Sequence, residues 1–310
     1  MQMEGLVTKS TGSWYLVRLP DGTHLSCTLR GNLRLRGIKT TNPVAVGDRV
    51  EVEYSSDRGV GVIRDILKRH NYIIRKSTKL SKISHIIAAN IDQAFLIATL
   101  AQPRTSTGFI DRFLVTAEAY HIPAGLIFNK QDLYDKELQQ RHDELVALYS
   151  HIGYACFGTS ALTGEGIRSL AYALQHKTTL FSGHSGVGKS EIINVLEPGL
   201  KLRTAEVSSY HLKGVHTTTF AELFELSSGG FIIDTPGIRE FGLIDFKKEE
   251  VAERFPEMRA LMHQCQFHNC THVHEPRCAV KKALEEGTID AGRYRNYLRI
   301  LQGDWDEMII

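Results

Sequence analysis

The chain has 310 residues, enough for about two domains at roughly 150 residues each. Hydrophobic residues at 42% beside 23% charged exclude a wholly disordered chain, and no stretch approaches the ~18 uninterrupted apolar residues of a membrane helix. The net charge of +2 hides an asymmetry: residues 1–76 carry 13 Lys and Arg against 7 Asp and Glu, whereas the remainder carries 24 against 28.

The opening Met1-Gln2-Met3-Glu4-Gly5 lacks the basic-then-apolar pattern of a signal peptide, so a cytoplasmic, reducing setting is expected. Residues 3–66 read as short strands. Leu6 to Leu19 alternates around Ser10-Thr11-Gly12-Ser13, Pro20-Asp21-Gly22-Thr23 signals a hairpin, Val46 to Glu53 alternates, and Gly59–Ile66 makes another strand. About five short strands predict a small β-barrel of OB-fold type. The basic stretch Lys68 to Lys82 reads as a linker.

The rhythm then changes to strand–helix alternation. Strands are predicted at Ile91–Thr99, Ala124–Phe128, Ala155–Thr159, Thr178–Ser182, Phe220–Leu226 and Phe231–Asp234. Helices are predicted at Ile110–Tyr120, Lys136–Ser150, Ile167–Gln175 and from Ser190 to Leu196. Such alternation predicts an α/β fold with a mainly parallel sheet. From Lys247 onward only helical patterns remain, interrupted by a Cys/His segment.

Gly183-His184-Ser185-Gly186-Val187-Gly188-Lys189-Ser190 fits G-x-x-x-x-G-K-[ST], with an apolar strand before it and a helical pattern after it. The glycines let the backbone wrap phosphate oxygens, and N–H groups up to Ser190 and Glu191 point at them. Lys189 supplies a cation to the β- and γ-phosphates, and the Ser190 hydroxyl is a Mg²⁺ ligand. The loop alone identifies a nucleoside triphosphate and not its base.

Asn129-Lys130-Gln131-Asp132 closes the strand Ala124–Phe128. Guanine presents two adjacent donors, N1–H and the 2-amino group, which one carboxylate accepts together; adenine has no such pair. Asp132 is therefore the expected specificity residue, with Lys130 along the base plane and Asn129 tying base to phosphate loop. Ser160-Ala161 follows another strand end, where a backbone N–H can donate to guanine O6. All three motifs sit at carboxyl ends of strands, where ligands bind in such sheets.

Asp234-Thr235-Pro236-Gly237 is the expected second switch: Asp234 holds Mg²⁺ through water, and the Gly237 N–H senses the γ-phosphate. Gly214-Val215-His216-Thr217-Thr218-Thr219 occupies the first-switch position, where one threonine reaches Mg²⁺; Thr217, Thr218 and Thr219 all qualify. Many GTPases orient the attacking water with a Gln after the switch glycine. Ile238 stands there instead, so slow intrinsic hydrolysis is expected, with His216 as the substitute catalytic group.

The motif order is informative. Asn129 precedes Gly183 by 54 residues, so the base-reading motifs come before the phosphate loop and the switches follow it. The set is circularly permuted, and the second switch runs directly into the C-terminal segment. This order, the barrel, Ala89-Asn90-Ile91-Asp92-Gln93, His216 with its threonines and the Cys/His segment together resemble the ribosome small-subunit-dependent GTPases of the RsgA (YjeQ, EngC) family across essentially the whole chain. The chain departs at Val215, where that family commonly has Arg. The resemblance implies a cytoplasmic GTPase acting late in assembly of the 30S subunit, binding its 16S rRNA and stimulated by the particle. On this reading residues 1–68 are an OB barrel, 69–245 a permuted GTPase domain and 246–310 a helical zinc-binding domain.

Cys265, Cys270, His272 and Cys278 make a Cys₃His set, the usual composition of a closed structural Zn²⁺ site. His268 and His274 are rival imidazoles; the resemblance assigns His272. Cys27 and Cys156 read as small core residues. Arg30, Arg34, Arg36, Lys39 and Arg49 on the barrel suit an RNA backbone, and Lys281, Lys282, Arg293, Arg295 and Arg299 form either a solvated face or a second RNA contact. A monomer is expected. Two other readings compete: a non-catalytic RNA-binding module shaped by GTP and zinc, which Ile238 favours, and an ATP-dependent kinase or ATPase, which Asp132 disfavours.

Overall fold

A computed structural model describes residues 2–30, 43–54, 59–76, 84–202, 221–235 and 248–303. The strands are β1 (Gln2–Ser10), β2 (Tyr15–Arg18), β3 (His24–Leu29), β4 (Arg49–Tyr54), β5 (Gly61–Ile66), β6 (Tyr72–Lys76), β7 (Ser84–Ala89), β8 (Gln93–Ala98), β9 (Ala124–Phe128), β10 (Ala155–Gly158), β11 (Thr178–Ser182), β12 (Glu222–Glu225) and β13 (Phe231–Asp234). The helices are α1 (Thr107–Ala119), α2 (Lys136–Ile152), α3 (Ile167–Leu174), α4 (Lys189–Leu196), α5 (Lys248–Val251), α6 (Pro256–Arg259), α7 (Ala279–Glu285) and α8 (Ala291–Gln302). The chain divides into two compact units, one of residues 1–95, 167–183 and 189–243, the other of residues 96–166, 184–188 and 244–310.

In the first unit, β1 to β5 close a barrel in the order β1-β2-β3-β5-β4, with β4 returning to β1 and β3–β5 its parallel pair. This is the five-stranded architecture expected from the alternating pattern. Val7, Val17, Cys27, Val50, Val52 and Ile63 are all 0% exposed and fill its core, each apolar side chain contributing about 1.5–3 kcal/mol on burial. Cys27 is thus the core residue anticipated. At the predicted hairpin, Asp21 Oδ1 accepts from the Thr23 N–H at 2.9 Å and its hydroxyl at 2.7 Å, closing an Asx turn.

The expected linker contains strand. β6 pairs antiparallel with β7, with a register shift between Ile73 and Ile74. That irregularity, in a run of three apolar residues followed by Arg75 and Lys76, removes the period-2 signal that would have revealed it. Preceding β6, Arg69 grips buried Asp48 with two 2.6 Å hydrogen bonds, the two side chains being 9% and 0% exposed. β11 and β13 run parallel with Phe181 opposite Asp234, and β12 lies antiparallel to both β13 and β1, where Lys9 faces Glu222. Arg18 adds a bidentate pair to Glu225 at 2.6 Å, worth under about 1 kcal/mol because Glu225 is 47% exposed.

In the second unit the strand order is β10-β9-β8, with β9 and β10 parallel. β8 is buried along its whole length, which explains its unbroken apolar run. Ser106 caps α1 by accepting from the Phe109 N–H, and Asp135 caps α2 by accepting from Leu138, whose helix ends at Gly153 with φ +110°. Phe255, Met258, Cys270, Cys278, Val280, Tyr297 and Ile300 of the C-terminal segment bury a shared core with Val115 of α1. Among the described residues no helix is long and apolar enough to cross a membrane.

Candidate functional site

Asn129 directly follows β9 and is 1% exposed, so each polar atom of its side chain needs a partner. Its Nδ2 donates to the Val187 carbonyl in the phosphate loop at 2.9 Å. Its Oδ1 accepts from the Thr159 hydroxyl at 3.1 Å and the Ala161 N–H at 3.2 Å. One buried amide thus ties Val187 of the phosphate loop to the Thr159–Ala161 segment, these residues all lying within the second unit. The Ala161 N–H, in the segment where a backbone N–H was expected to donate to guanine O6, is directed here at Asn129.

Lys130 adopts the left-handed conformation, φ +66°, and its Nζ donates to the Gln102 carbonyl at 2.9 Å. This unfavourable backbone angle turns the chain sharply after β9 and delivers Asp132. Asp132 Oδ1 accepts from the Ser160 hydroxyl at 2.5 Å, and that hydroxyl accepts from the Thr163 N–H at 3.2 Å. The carboxylate is thereby held by one oxygen while the residue as a whole stays exposed.

Gly186 and Gly188 have φ of +84° and +96°, angles that side-chain-bearing residues resist, so the loop bends as the motif requires. His184 stacks on Phe109 of α1, with ring centroids 3.9 Å apart. In the first unit, the Lys189 Nζ donates to the Gly183 carbonyl at 2.8 Å across the loop. Burial pulls the Lys189 ammonium down from its ordinary pKa, opposed by the carboxylates of Asp234 and Glu191. Burial pushes Asp234 up, opposed by the Lys189 charge. Asp234 Oδ1 is buried with no hydrogen-bond partner among the described residues. An orphaned carboxylate oxygen near the phosphate-loop lysine fits a site completed by a hydrated divalent cation. His216, Thr217, Thr218, Thr219, Gly237 and Ile238 lie outside the described residues, as do Arg34, Arg36 and Lys39.

Cys265, Cys270, His272 and Cys278 bring one donor atom each within 4.8 Å of the others. Tetrahedral Zn²⁺, with Zn–S about 2.3 Å and Zn–N about 2.05 Å, places sulfurs about 3.8 Å apart and sulfur and nitrogen about 3.6 Å apart. Cys265 Sγ lies 3.9 Å from Cys278 Sγ and 3.6 Å from His272 Nδ1, which lies 3.3 Å from Cys278 Sγ. The cluster therefore has the dimensions of a zinc site, with Nδ1 as the donor. Burial lowers the His272 pKa against the opposing Glu275 charge, favouring the neutral imidazole that a metal needs. Glu275 accepts from the Thr271 N–H and hydroxyl and from the Val273 and His274 N–H groups, and Tyr294 donates to the His272 carbonyl at 2.7 Å. His268 and His274 are exposed and outside the cluster.

Arg293 corrects one sequence expectation. It does not belong to a basic surface face: it is 2% exposed and bonded to Asp111 and Glu257. Arg295, Arg299 and Lys282 remain exposed. On the barrel, Arg30 is exposed and Arg49 pairs with Glu4 at 2.9 Å. Sequence reasoning missed Thr159, Gln102 and Phe109, because their roles depend on partners remote in the chain; only Thr159, adjacent to Ser160, carried a local hint.

A family model described as RsgA GTPase matches residues 66–244, and one described as the RsgA N-terminal domain matches residues 4–63. The chain is 53% identical over 300 residues to a protein of Bacteroides fragilis named small ribosomal subunit biogenesis GTPase RsgA, covering 97% of this chain and 96% of that one. A protein of the same name from Christiangramia forsetii is 52% identical over 306 residues, covering 98% and 97%. Among solved structures, YjeQ from Thermotoga maritima matches with a TM-score of 0.79 at 37% identity, covering 98% of both chains. YloQ, described as a circularly permuted GTPase, matches with a TM-score of 0.76 at 30% identity, covering 99% of this chain and 96% of that one.

Proposed function

Because the chain belongs to the RsgA family of circularly permuted GTPases, we propose that it hydrolyses GTP to GDP and phosphate in biogenesis of the small ribosomal subunit, binding the 30S particle late in assembly and being stimulated by it. The observation that carries the nucleotide assignment is Asn129, whose buried amide joins the phosphate loop at Val187 to the segment containing Ser160 and Ala161. In this reading Asp132 accepts the two guanine donors with its plane fixed by Ser160, and Lys130 lies along the base.

Backbone N–H groups from Gly183 to Glu191 cradle the phosphates, and Lys189 exchanges the Gly183 carbonyl for phosphate oxygen. Mg²⁺, when bound with the nucleotide, neutralises charge building up on the β- and γ-oxygens. Ser190, Asp234 and one threonine among Thr217, Thr218 and Thr219 would hold it, and the orphaned Asp234 Oδ1 supports that role. Gly237 senses the γ-phosphate and His216 holds the attacking water. Replacing His216 with Ala is expected to lower kcat with GTP affinity nearly unchanged; a surviving kcat removes His216 from catalysis.

The Cys₃His cluster holds one structural zinc that shapes the C-terminal segment. The basic barrel loops, through Arg30, Arg34, Arg36, Lys39 and Arg49, meet 16S rRNA backbone. The protein acts as a cytoplasmic monomer. The guanine assignment is tested by Asp132→Asn, whose amide donates to the 2-oxo group of xanthine. The expected result is loss of GTP binding and gain of XTP binding; retained preference for GTP refutes the site.

A further inference from the structure

Gln131 occupies the interchangeable position of the base-reading tetrapeptide, yet its side chain has a defined place. Its backbone N–H donates to the Thr159 carbonyl at 3.1 Å. Its amide lies flat against Gly158, where an added Cβ would stand 2.2 Å from Gln131 Nε2. The amide ends 3.0 Å from Nε2 of His142, on α2, a residue 8% exposed. The other ring nitrogen, Nδ1, lies 3.0 Å from Asp143 Oδ1. A carboxylate only accepts, so Nδ1, which also lies 3.5 Å from Gln139 Nε2, donates to Asp143, and in the neutral ring Nε2 presents a lone pair to the Gln131 amide. Phe128 meets the ring edge-on at 5.4 Å between centroids, and Tyr134 lies 5.8 Å away, so the imidazole plane is fixed from two sides.

We infer that His142 is a positioning residue for guanine recognition, acting through Gln131, which it holds as a wedge between the Lys130–Asp132 turn and the strand leading to Ser160 and Ala161. The left-handed backbone at Lys130 gives this wedge its purpose. That conformation costs energy and persists only where surrounding contacts over-determine it. Gln131, adjacent to Lys130, supplies such contacts to both β10 and α2. The wedge sets the spacing between the Asp132 carboxylate and the Ser160–Ala161 turn, so it acts on affinity for the base and not on the phosphate chemistry. The inference rests on the assignment of Asp132 as the guanine reader.

The test is equilibrium binding of fluorescent GDP and GTP, with kcat at saturation and Tm, for the full chain carrying His142→Leu, His142→Gln, Gln131→Ala and His142→Leu with Gln131→Ala. His142→Leu, which leaves the Gln131 amide without its acceptor, should weaken GDP binding ~5- to 30-fold while kcat stays within about twofold. His142→Gln should recover most of the affinity, because its carbonyl oxygen reaches about where Nε2 was. In the Gln131→Ala background, His142→Leu should weaken binding no further. Wild-type affinity in His142→Leu, or an equal loss with Gln131 absent, overturns the inference. Should His142→Leu fail to fold, Gly158→Ala presses on the same amide, and unchanged GDP affinity there overturns it equally. Asp132→Asn in parallel separates the two layers. If it fails to move preference from GDP to XDP, the guanine site itself is wrong. If it does so while His142→Leu binds normally, the wedge alone is wrong.

Discussion

Arg293 of α8 donates to Asp111 of α1 at 2.7 Å, with side-chain exposures of 1% and 0%. Asn296 and Tyr149 donate to the same carboxylate at 2.6 and 2.8 Å, and Glu257 takes the other edge of the guanidinium at 2.8 and 3.0 Å. Burial works against the guanidinium charge, but Asp111 and Glu257 outweigh it and raise the Arg293 pKa further. This network pins the helical C-terminal segment to α1, whose Phe109 supports His184 of the phosphate loop.

Removing one partner of such a pair strands a buried charge. Arg293→Met is expected to destabilise the protein by about 3–5 kcal/mol, and Asp111→Asn similarly. Chemical denaturation measures this against Arg299→Ala, which removes an exposed charge and should shift stability by no more than about 0.5 kcal/mol. Equal effects at Arg293 and Arg299 contradict the buried network.

The Cys₃His cluster carries a second prediction. Burial pushes the Cys270 thiol up to about 12, so without metal this ligand is protonated at neutral pH. Zinc must displace that proton, so binding releases protons and affinity falls as pH falls. Elemental analysis should find one zinc per chain, and chelation should lower Tm. Cys270→Ser should abolish both the zinc and the chelator sensitivity, while exposed His268→Ala leaves both in place.

Glu275 gives a pH dependence. Burial would raise its pKa, but the hydrogen bonds from Thr271 and from the Val273 backbone prevail and lower it from 4.5 to about 2. A depressed carboxyl pKa contributes stability that is present above the unfolded value and lost as pH falls through the folded value. The stability difference between wild type and Glu275→Gln should therefore be full above about pH 5 and shrink steadily toward pH 2. Denaturation of both proteins at matched metal loading measures it, and a difference constant across this range contradicts the assignment.

What was legible in the sequence was local. The phosphate loop, the Asn129–Asp132 turn and the Cys/His spacing are each set by neighbours within a few residues, and the structure forms each as a compact motif. β8 was legible because a strand buried along its whole length reads as an apolar run. β6 was not, because a bulge and flanking cations hid its alternation. Arg293 read as surface charge because its partners, Asp111 and Glu257, lie 182 and 36 residues away. Gln131 was legible as part of the base-reading tetrapeptide, but its partner His142 was not, because His142 belongs to the next helix.

The central claim is that this chain is a GTPase whose turnover answers to the small ribosomal subunit. Steady-state GTP hydrolysis by the purified protein, with and without 30S particles, tests it most directly. Slow hydrolysis alone and a severalfold or greater rise in kcat with 30S is the predicted result. A rate unchanged by 30S particles contradicts it and leaves a nucleotide-shaped binding module in its place.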